Sequence, residues 1–319
     1  MLKHLVSGRL RIEICGMFKT LISLLFLVPL NVCKAQNGCK LVINEILFNP
    51  AKDGFDYVEL YNNSDEAIDL SAIAIANRNS VGDISSIRLL SKTQRWLGSN
   101  GYVVVTANEK WLRQNYVVPD TTRVCTVTSL PSFPDDEGTV LLIELADSGI
   151  CDEVVYNEKW HFGLVDDASG ISLEKIDPAL SGQNRFNWMS AASSSSYGTP
   201  GYQNSHLVNP GDSAMDLEIT PPVFTPDNNG VNDMMTLRVN GAYSGYVINS
   251  TIFDISGRRV KHFLKNELLG AANIFRWDGL NDQSKRLPPA PYVITGNIFD
   301  TRGNVKNFKK VIVIATSEP

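Results

Sequence analysis

The chain has 319 residues, with 29 Lys and Arg against 34 Asp and Glu and a formal net charge of −5. Hydrophobic residues make up 43% and charged residues 20% of it, an ordinary composition for a protein that buries real cores. This length predicts two domains, because one domain usually takes about 100–200 residues. The acidic balance argues against a nucleic-acid partner, because phosphate binding needs clustered Lys and Arg.

The first residues have the pattern of an export signal. Leu21–Leu30 is an apolar stretch with the length of a signal-peptide core, shorter than the about 20 residues that span a bilayer. Lys19 precedes this stretch, and Ala35 offers a cleavage point. We therefore predict a cleaved signal peptide over residues 1–35, with Met17 as an alternative start, and no transmembrane helix in the mature chain.

Export would place the mature protein in the periplasm, on the outer-membrane surface or outside the cell. A lipoprotein anchor on Cys33 is the alternative, although Asn31 and Val32 fit a lipobox poorly.

Cleavage would leave three cysteines, Cys39, Cys125 and Cys151. An oxidising compartment permits one disulfide among them. We expect the pair Cys125–Cys151, because both residues lie near predicted strands of one domain. Two buried free thiols are the alternative, because a disulfide requires close geometry. The chain has no CxxC spacing that would indicate a cysteine metal site.

After the signal region, the first half of the chain reads as short β-rich segments separated by turn residues. Strands at this spacing are typical of a sandwich or barrel. The predicted strands are Lys40–Phe48, Asp56–Asn62, Ala72–Arg78, Gly101–Ala107, Thr139–Leu145 and Asp152–Tyr156. One helical exception follows Asn108, a candidate N-cap, with Trp111 and Leu112 on one side of the helix.

The composition changes over residues 191–213, which are rich in Ser, Gly, Pro and Asn. Such a segment predicts a linker, partly extended and partly flexible. The first domain would then cover residues 36–190, and the second would cover residues 214–319. The second contains further predicted strands: Met234–Val239, Tyr246–Asp254, Arg259–Phe263, Asn273–Trp277, Pro291–Phe299 and Asn304–Ala315.

Several motifs of the first domain resemble the lamin tail domain, an Ig-like β-sandwich found in secreted proteins of the Bacteroidota. The resemblance is carried by INEI at Ile43–Ile46, YVELYN at Tyr57–Asn62 and IDLS at Ile68–Ser71. The later stretches Trp160–Pro178 and Phe186–Ser205 resemble the end of that domain. The segment AIAIANR departs from the many relatives that carry an aromatic residue after Leu-Ser.

The second domain resembles the C-terminal Ig-like modules of the same exported proteins. These modules are related to the flagellar-hook-capping Ig-like fold and to gliding-motility-associated C-terminal sorting domains. The matching stretches are Phe224–Asp233, Ile252–Val260, Phe275–Asp282 and Leu287–Ile294. Relatives commonly carry Gly where this chain has Pro289 and Ala290. Together the two resemblances imply an all-β chain of two Ig-like β-sandwiches in tandem.

The run VFTPDNNGVNDMM suggests a metal site or a turn. Asp227, Asn229 and Asp233 occupy positions 1, 3 and 7 of a possible cation loop. An EF-hand is excluded, because its Gly belongs at position 6 and its Glu at position 12, where this chain has Arg238. Asn and Asp also form turns through their own backbone. We prefer the turn and keep a Ca²⁺ site of another shape as the alternative.

The sequence offers no catalytic constellation. It contains no GxSxG elbow, no HExxH motif and no phosphate-binding Gly-rich loop. His161 follows Trp160 and has the context of a packed histidine, and Asp166–Asp167 lies in a turn-like stretch. We therefore expect no catalytic residue, no cofactor and no enzyme activity.

The resemblances imply a non-catalytic, monomeric protein of the cell envelope or surface that binds a protein or a glycan. The C-terminal module would be a spacer or a sorting element. Loops at one end of the first sandwich would carry the binding residues, and we select Asp135, Asp136, Trp160 and His161. The alternative is a metal-dependent secreted hydrolase, a nuclease or glycosidase, or its accessory subunit.

Overall fold

A computed structural model describes residues 40–146, 148–207, 215–241 and 245–316 of the chain. The predicted signal peptide, the alternative start at Met17, and Cys33 and Cys39 lie outside the described residues. Within them, no helix is long and apolar enough to cross a membrane.

The first sandwich, as described up to Leu207, contains twelve strands. They are β1 (Leu41–Leu47), β2 (Tyr57–Asn62), β3 (Ile68–Asp69), β4 (Ile73–Arg78), β5 (Ile84–Leu89), β6 (Trp96–Leu97), β7 (Tyr102–Thr106), β8 (Val124–Thr126), β9 (Glu137–Glu144), β10 (Gly149–Asn157), β11 (Leu173–Lys175) and β12 (Trp188–Ser190). Helix α1 (Glu109–Asn115) follows β7. Five single turns of 3₁₀ helix lie between strands: Leu70–Ala72, Thr121–Arg123, Glu158–Trp160, Arg185–Asn187 and Ser193–Ser195.

Two sheets face each other in this sandwich. One has the strand order β12-β11-β1-β2-β7-β8, the other has the order β10-β9-β4-β5, and β3 pairs with β6 at the side. The core lies between the two large sheets, where Ile43, Ile75 and Leu142 from β1, β4 and β9 are fully buried. Alternation of side chains along each strand sends every second residue into this core.

The other face of the six-stranded sheet is also covered. Helix α1 packs there, with Leu112 fully buried beside Leu47 and Tyr57. The side chain of Asn108 caps the helix by accepting a hydrogen bond from Trp111 N at 3.0 Å. The predicted helix and its cap are therefore confirmed.

The second sandwich contains eight strands in its described part. They are β13 (Asp216–Thr220), β14 (Val223–Phe224), β15 (Met235–Asn240), β16 (Tyr246–Asp254), β17 (Arg259–Leu269), β18 (Ala272–Trp277), β19 (Ala290–Asp300) and β20 (Val305–Ile314). The sheets have the orders β13-β15-β18 and β14-β20-β19-β16-β17. Leu237, Trp277 and Ile294 lie in the core between them. The predicted all-β fold is confirmed.

The segment predicted as a linker is, over residues 191–207, part of the first sandwich. Ala192 and Thr199 are fully buried there, and His206 is almost fully buried. The prediction of a flexible linker is therefore wrong for these residues. Its composition of Ser, Gly, Pro and Asn predicted a linker, but polar groups such as Thr199 and Ser205 hydrogen-bond inside the protein. Residues 208–214 lie outside the described part, and the other predicted boundaries stay predictions.

Candidate functional site

Two of the residues selected as ligand contacts pack inward. The ring of His161 lies against Phe48, with 5.6 Å between ring centroids, and its Nδ1 is 2.9 Å from Ser190 Oγ. Burial lowers the pKa of His161 to about 4, so the ring is neutral at physiological pH. Trp160 packs against the first core, 6.3 Å from the ring of Trp188. These two side chains support the fold instead of facing a ligand.

The other two selected residues are exposed. Asp136 Oδ1 accepts a hydrogen bond from Glu137 N at 2.8 Å. Asp135 lies close enough to Asp56 to affect it: burial, and then the charge of Asp135, raise the pKa of Asp56 to about 7. Since Trp160 and His161 point inward, the four residues do not present one binding surface.

The Asp- and Asn-rich run before β15 forms a turn. The two carboxylate oxygens of Asp233 accept hydrogen bonds from Asn228 N at 2.6 Å and Gly230 N at 2.7 Å. Asp227 accepts from Asn229 N at 3.1 Å. Among the described residues, no group of three or more His, Cys, Asp or Glu side chains could hold a metal ion. The turn preferred from the sequence is therefore present, and the alternative Ca²⁺ site at Asp227, Asn229 and Asp233 stays a prediction.

The predicted disulfide between Cys125 and Cys151 is wrong. Cys125 is a buried free thiol whose Sγ donates to Leu90 O at 3.0 Å. Cys151 is disulfide-bonded, and its partner lies outside the described residues. The two cysteines belong to edge strands of different sheets, β8 and β10. The neighbouring Asp152 accepts from Ile43 N at 2.8 Å, which places this part of β10 beside β1, away from β8.

The main polar feature of the first sandwich is a row of three glutamates that the sequence analysis did not assign. Glu45 on β1 lies directly opposite Glu59 on β2 and opposite Glu174 on β11. All three are fully buried. We call them the glutamate row. Like charges directly opposite each other destabilise a sheet, so the row requires hydrogen-bond donors, bound protons or both.

Glu45 in the middle of the row has the most donors. Its carboxyl group accepts from Tyr57 Oη at 2.7 Å, from Thr199 N at 2.9 Å and from the hydroxyl of Ser172. Burial raises its pKa, while these bonds oppose the shift. Because hydrogen bonds to the charged form favour it, Glu45 is the member of the row best stabilised as an anion.

The outer glutamates are held by fewer donors. Glu59 accepts from Asn44 Nδ2 at 2.9 Å and from Gly201 N at 2.6 Å. Glu174 accepts from Ser205 N at 2.8 Å and from Ser205 Oγ at 2.7 Å. Burial raises the pKa of both residues, and the nearby charge of Glu45 raises it further. The pKa of Glu174 reaches about 8. Glu174 is therefore protonated at neutral pH.

The contacts of Thr199 lead to the same conclusion. Its Oγ1 lies 3.1 Å from Glu45 Oε2 and 2.9 Å from Glu174 Oε1. A hydroxyl has a single hydrogen to donate, so it satisfies only one of these two oxygens. The other contact is a hydrogen bond only if that carboxyl group carries a proton. A proton on Glu174, whose pKa is raised to about 8, allows both contacts to be hydrogen bonds.

The glutamate row fastens the segment Gly198–Leu207 to the sheet. Asn204 strengthens this attachment, because its Nδ2 donates to Asn44 O at 3.0 Å and to Lys175 O at 2.8 Å. The same segment meets the second sandwich, where Ala271 N donates to Ser205 O at 2.8 Å. The row is closed to solvent and its carboxyl groups face protein donors, so its function is structural.

A second charged group lies at the base of an open cleft of about 470 Å³. Lys175 is only 1% exposed, and its Nζ lies 3.5 Å from Asp152 and 5.6 Å from the ring centre of Trp188. Burial lowers the pKa of Lys175, and Asp152 opposes that shift. This lysine has a carboxylate and an aromatic ring as partners, which is the arrangement of a buried structural ion pair.

Glu45 and Glu59 of the glutamate row lie in the INEI and YVELYN motifs on which the first resemblance depends. Residues 34–158 match the Lamin Tail Domain family. The lamin tail match ends before Glu174, the third member of the row, and before its contact Thr199. It does not reach the second sandwich, whose resemblance to sorting modules stays a prediction, as does the Bacteroidota type.

Comparison with other proteins adds little to the lamin tail match. No curated protein matches the chain. FlgD of P. aeruginosa is 17% identical over 25% of this chain and 62% of its own, with a TM-score of 0.22. PorU of Porphyromonas gingivalis is 11% identical over 82% of this chain and 18% of its own, with a TM-score of 0.25. PorZ of the same organism is described as a surface component of the type-IX secretion system. It is 10% identical over 85% of this chain and 38% of its own, with a TM-score of 0.26. At these TM-scores the similarities carry no argument.

Proposed function

We propose that this chain is a non-catalytic exported protein of the cell envelope or surface, which binds a surface partner through its β-sandwiches. The observation that carries the proposal is the closed environment of the glutamate row. Strongly shifted pKa values usually mark active sites. Here the fully buried Glu45, Glu59 and Glu174 are closed off and hydrogen-bonded to protein donors, so they are not available to a substrate.

The accessible polar groups have a different character. Asp227 and Asp233 lie in a turn, and Asp152 in the open cleft of about 470 Å³ is paired with the buried Lys175. Such surfaces suit recognition, since they lack a nucleophile paired with a base and an orienting group. The lamin tail match over residues 34–158 agrees with a binding module, although a fold by itself does not fix a function.

The contact between the two sandwiches supports a joint role. Ser194 Oγ donates to Asn273 Oδ1 at 2.8 Å, and Asn273 is fully buried. Gly270 lies so close to Ser205 that an added Cβ would be 2.5 Å from its carbonyl oxygen. The second sandwich is therefore presented in a defined orientation, which suits a spacer or a sorting element at the surface.

Protease treatment of intact cells, with a periplasmic protein as the control, tests the location. Digestion of this protein while the control survives would support a surface position. Protection until the outer membrane is opened would instead place it in the periplasm and remove the sorting role. Robust nuclease or glycosidase turnover with added Ca²⁺ or Mg²⁺ would overturn the non-catalytic proposal and favour the hydrolase.

A further inference from the structure

Three asparagines form a row across neighbouring strands of the second sandwich. Asn249 on β16 lies directly opposite Asn297 on β19, and Asn297 lies opposite Asn307 on β20. Residues directly opposite each other in antiparallel strands share a face. The adjacent residues Ile248 and Ile298 point into the core, so the asparagines are on the outer face. We call Asn249, Asn297 and Asn307 the asparagine row.

A cleft of about 390 Å³ lies at the asparagine row. Thr251 and Thr295, opposite each other in the next outward-facing position, also line it. The side chains of both rows are neutral amides and hydroxyls. Each amide offers two donors and an acceptor, and each hydroxyl can donate and accept. The cleft therefore has the chemistry to bind an uncharged ligand that carries many hydroxyl groups.

The folded chain leaves part of this hydrogen-bonding capacity unused. Asn297 Oδ1 is buried and has no hydrogen-bond partner among the described residues. A buried acceptor without a donor is unfavourable. The terminal torsion of an Asn side chain is broad and roughly two-fold, so the amide oxygen and nitrogen can exchange places while the rest of the side chain stays in position. By contrast, Asn249 Oδ1 already accepts from Asn266 N at 2.7 Å.

Apolar residues flank the two polar rows on the same face. Phe253 and Val293 are opposite each other beyond the threonines, and Phe299 and Val305 are opposite each other beyond the asparagines. Sugar rings combine hydroxyl edges with apolar C–H faces, which match this alternation of polar and apolar rows. Three strands spaced about 4.8 Å apart make the asparagine row about 10 Å long, comparable to a disaccharide.

We propose that the asparagine row is an oligosaccharide-binding site, in which sugar hydroxyls bond to the amides of Asn297 and Asn307. This inference rests on the proposed surface-binding function and names its ligand class. A peptide fits less well, because strand addition uses a free sheet edge and β19 is already paired on both sides. A phosphate-rich ligand fits less well, because the residues that line the cleft are all uncharged.

The test uses the purified full chain on an oligosaccharide microarray that covers hexoses, N-acetylhexosamines and uronic acids. The strongest binder is then titrated calorimetrically. Asn297→Ala and Asn307→Ala are each expected to weaken binding about three- to tenfold, since each removes hydrogen bonds to the ligand. Asn240→Ala is the matched control, because Asn240 is an exposed asparagine at the end of β15 on the other sheet.

Thermal melting separates a binding role from a structural one. Asn297 Oδ1 has no partner among the described residues, so Asn297→Ala should melt no lower than the wild type while it binds sugar more weakly. No binding to any sugar, or unchanged affinity in both variants, would overturn the inference. Binding of a peptide that is lost in Asn297→Ala would assign the cleft to another ligand class and overturn it too. The protease experiment reports the surface location independently of these results.

Discussion

Replacement of Glu174 by Gln should remove a large part of the pH dependence of the first sandwich. Glu174 is fully buried and its folded-state pKa is about 8, against an ordinary value of 4.5. As the pH rises above 4.5, the unfolded chain releases this proton while the folded chain keeps it. The free energy of unfolding therefore falls between about pH 4.5 and pH 8 and levels off above that range.

The expected size follows from the same two pKa values. At 1.36 kcal/mol per pKa unit, the difference corresponds to roughly 5 kcal/mol of stability present below pH 4.5 and lost by pH 8. Glutamine imitates the protonated acid: its oxygen can accept from Ser205 N and Oγ, and its amide can donate to Thr199 Oγ1. Glu174→Gln should therefore match the wild type near pH 5 and become progressively more stable than it towards pH 8.

Urea denaturation at several pH values, followed by tryptophan fluorescence, measures this difference. Trp96, Trp111, Trp160 and Trp188 report on the first sandwich. Glu66→Gln is the control, since Glu66 is exposed and its variant should parallel the wild type at every pH. Glu174→Ala should lose roughly 3 kcal/mol even at pH 5, because it leaves donors of Ser205 unpaired. If the free energies of unfolding of the wild type and of Glu174→Gln depend on pH in the same way, Glu174 is not protonated in the folded state and the reasoning is refuted.

Three further predictions concern other parts of the chain. Gly270→Ala should force the two sandwiches apart, and X-ray scattering should then give a larger radius of gyration. Gly98→Ala is the control, because its Cβ has open space and the radius of gyration should not change. Reduction should lower the melting temperature of the wild type and of Cys125→Ala equally, because Cys151 and not Cys125 is disulfide-bonded. The lost disulfide should cost each protein about 2–4 kcal/mol of stability. Unequal shifts would contradict that assignment. Asn108→Ala should lose about 1 kcal/mol in urea denaturation by uncapping helix α1, and an unchanged midpoint would refute this.

Most strands could be predicted from the sequence, because short alternating segments between turn residues define them locally. The capped helix after Asn108 could be predicted for the same reason, since its signal lies within a few residues. The disulfide could not be predicted, because it depends on which sheet edge each cysteine occupies. Cys125 and Cys151 are close in sequence but lie on β8 and β10, strands of different sheets.

The error about the segment 191–207 has an instructive cause. Its Ser, Gly, Pro and Asn content predicted a linker, although the strands upstream contain a signal to the contrary. Glu45 and Glu59 stand in otherwise apolar strands, where an acid is buried and must find donors. The donors come from this polar segment, as Thr199 and Gly201 show. A buried acid in a strand therefore predicts a packed polar segment elsewhere in the chain.

The two sandwiches use the same arrangement in opposite ways. Each places three identical polar residues directly opposite one another on three adjacent strands. The glutamate row is covered by the segment Gly198–Leu207, which supplies its donors, so it is satisfied within the chain and stabilises the fold. The asparagine row instead lies at an open cleft, and Asn297 Oδ1 has no hydrogen-bond partner among the described residues. This difference is the reason to search for a ligand at the second sandwich first.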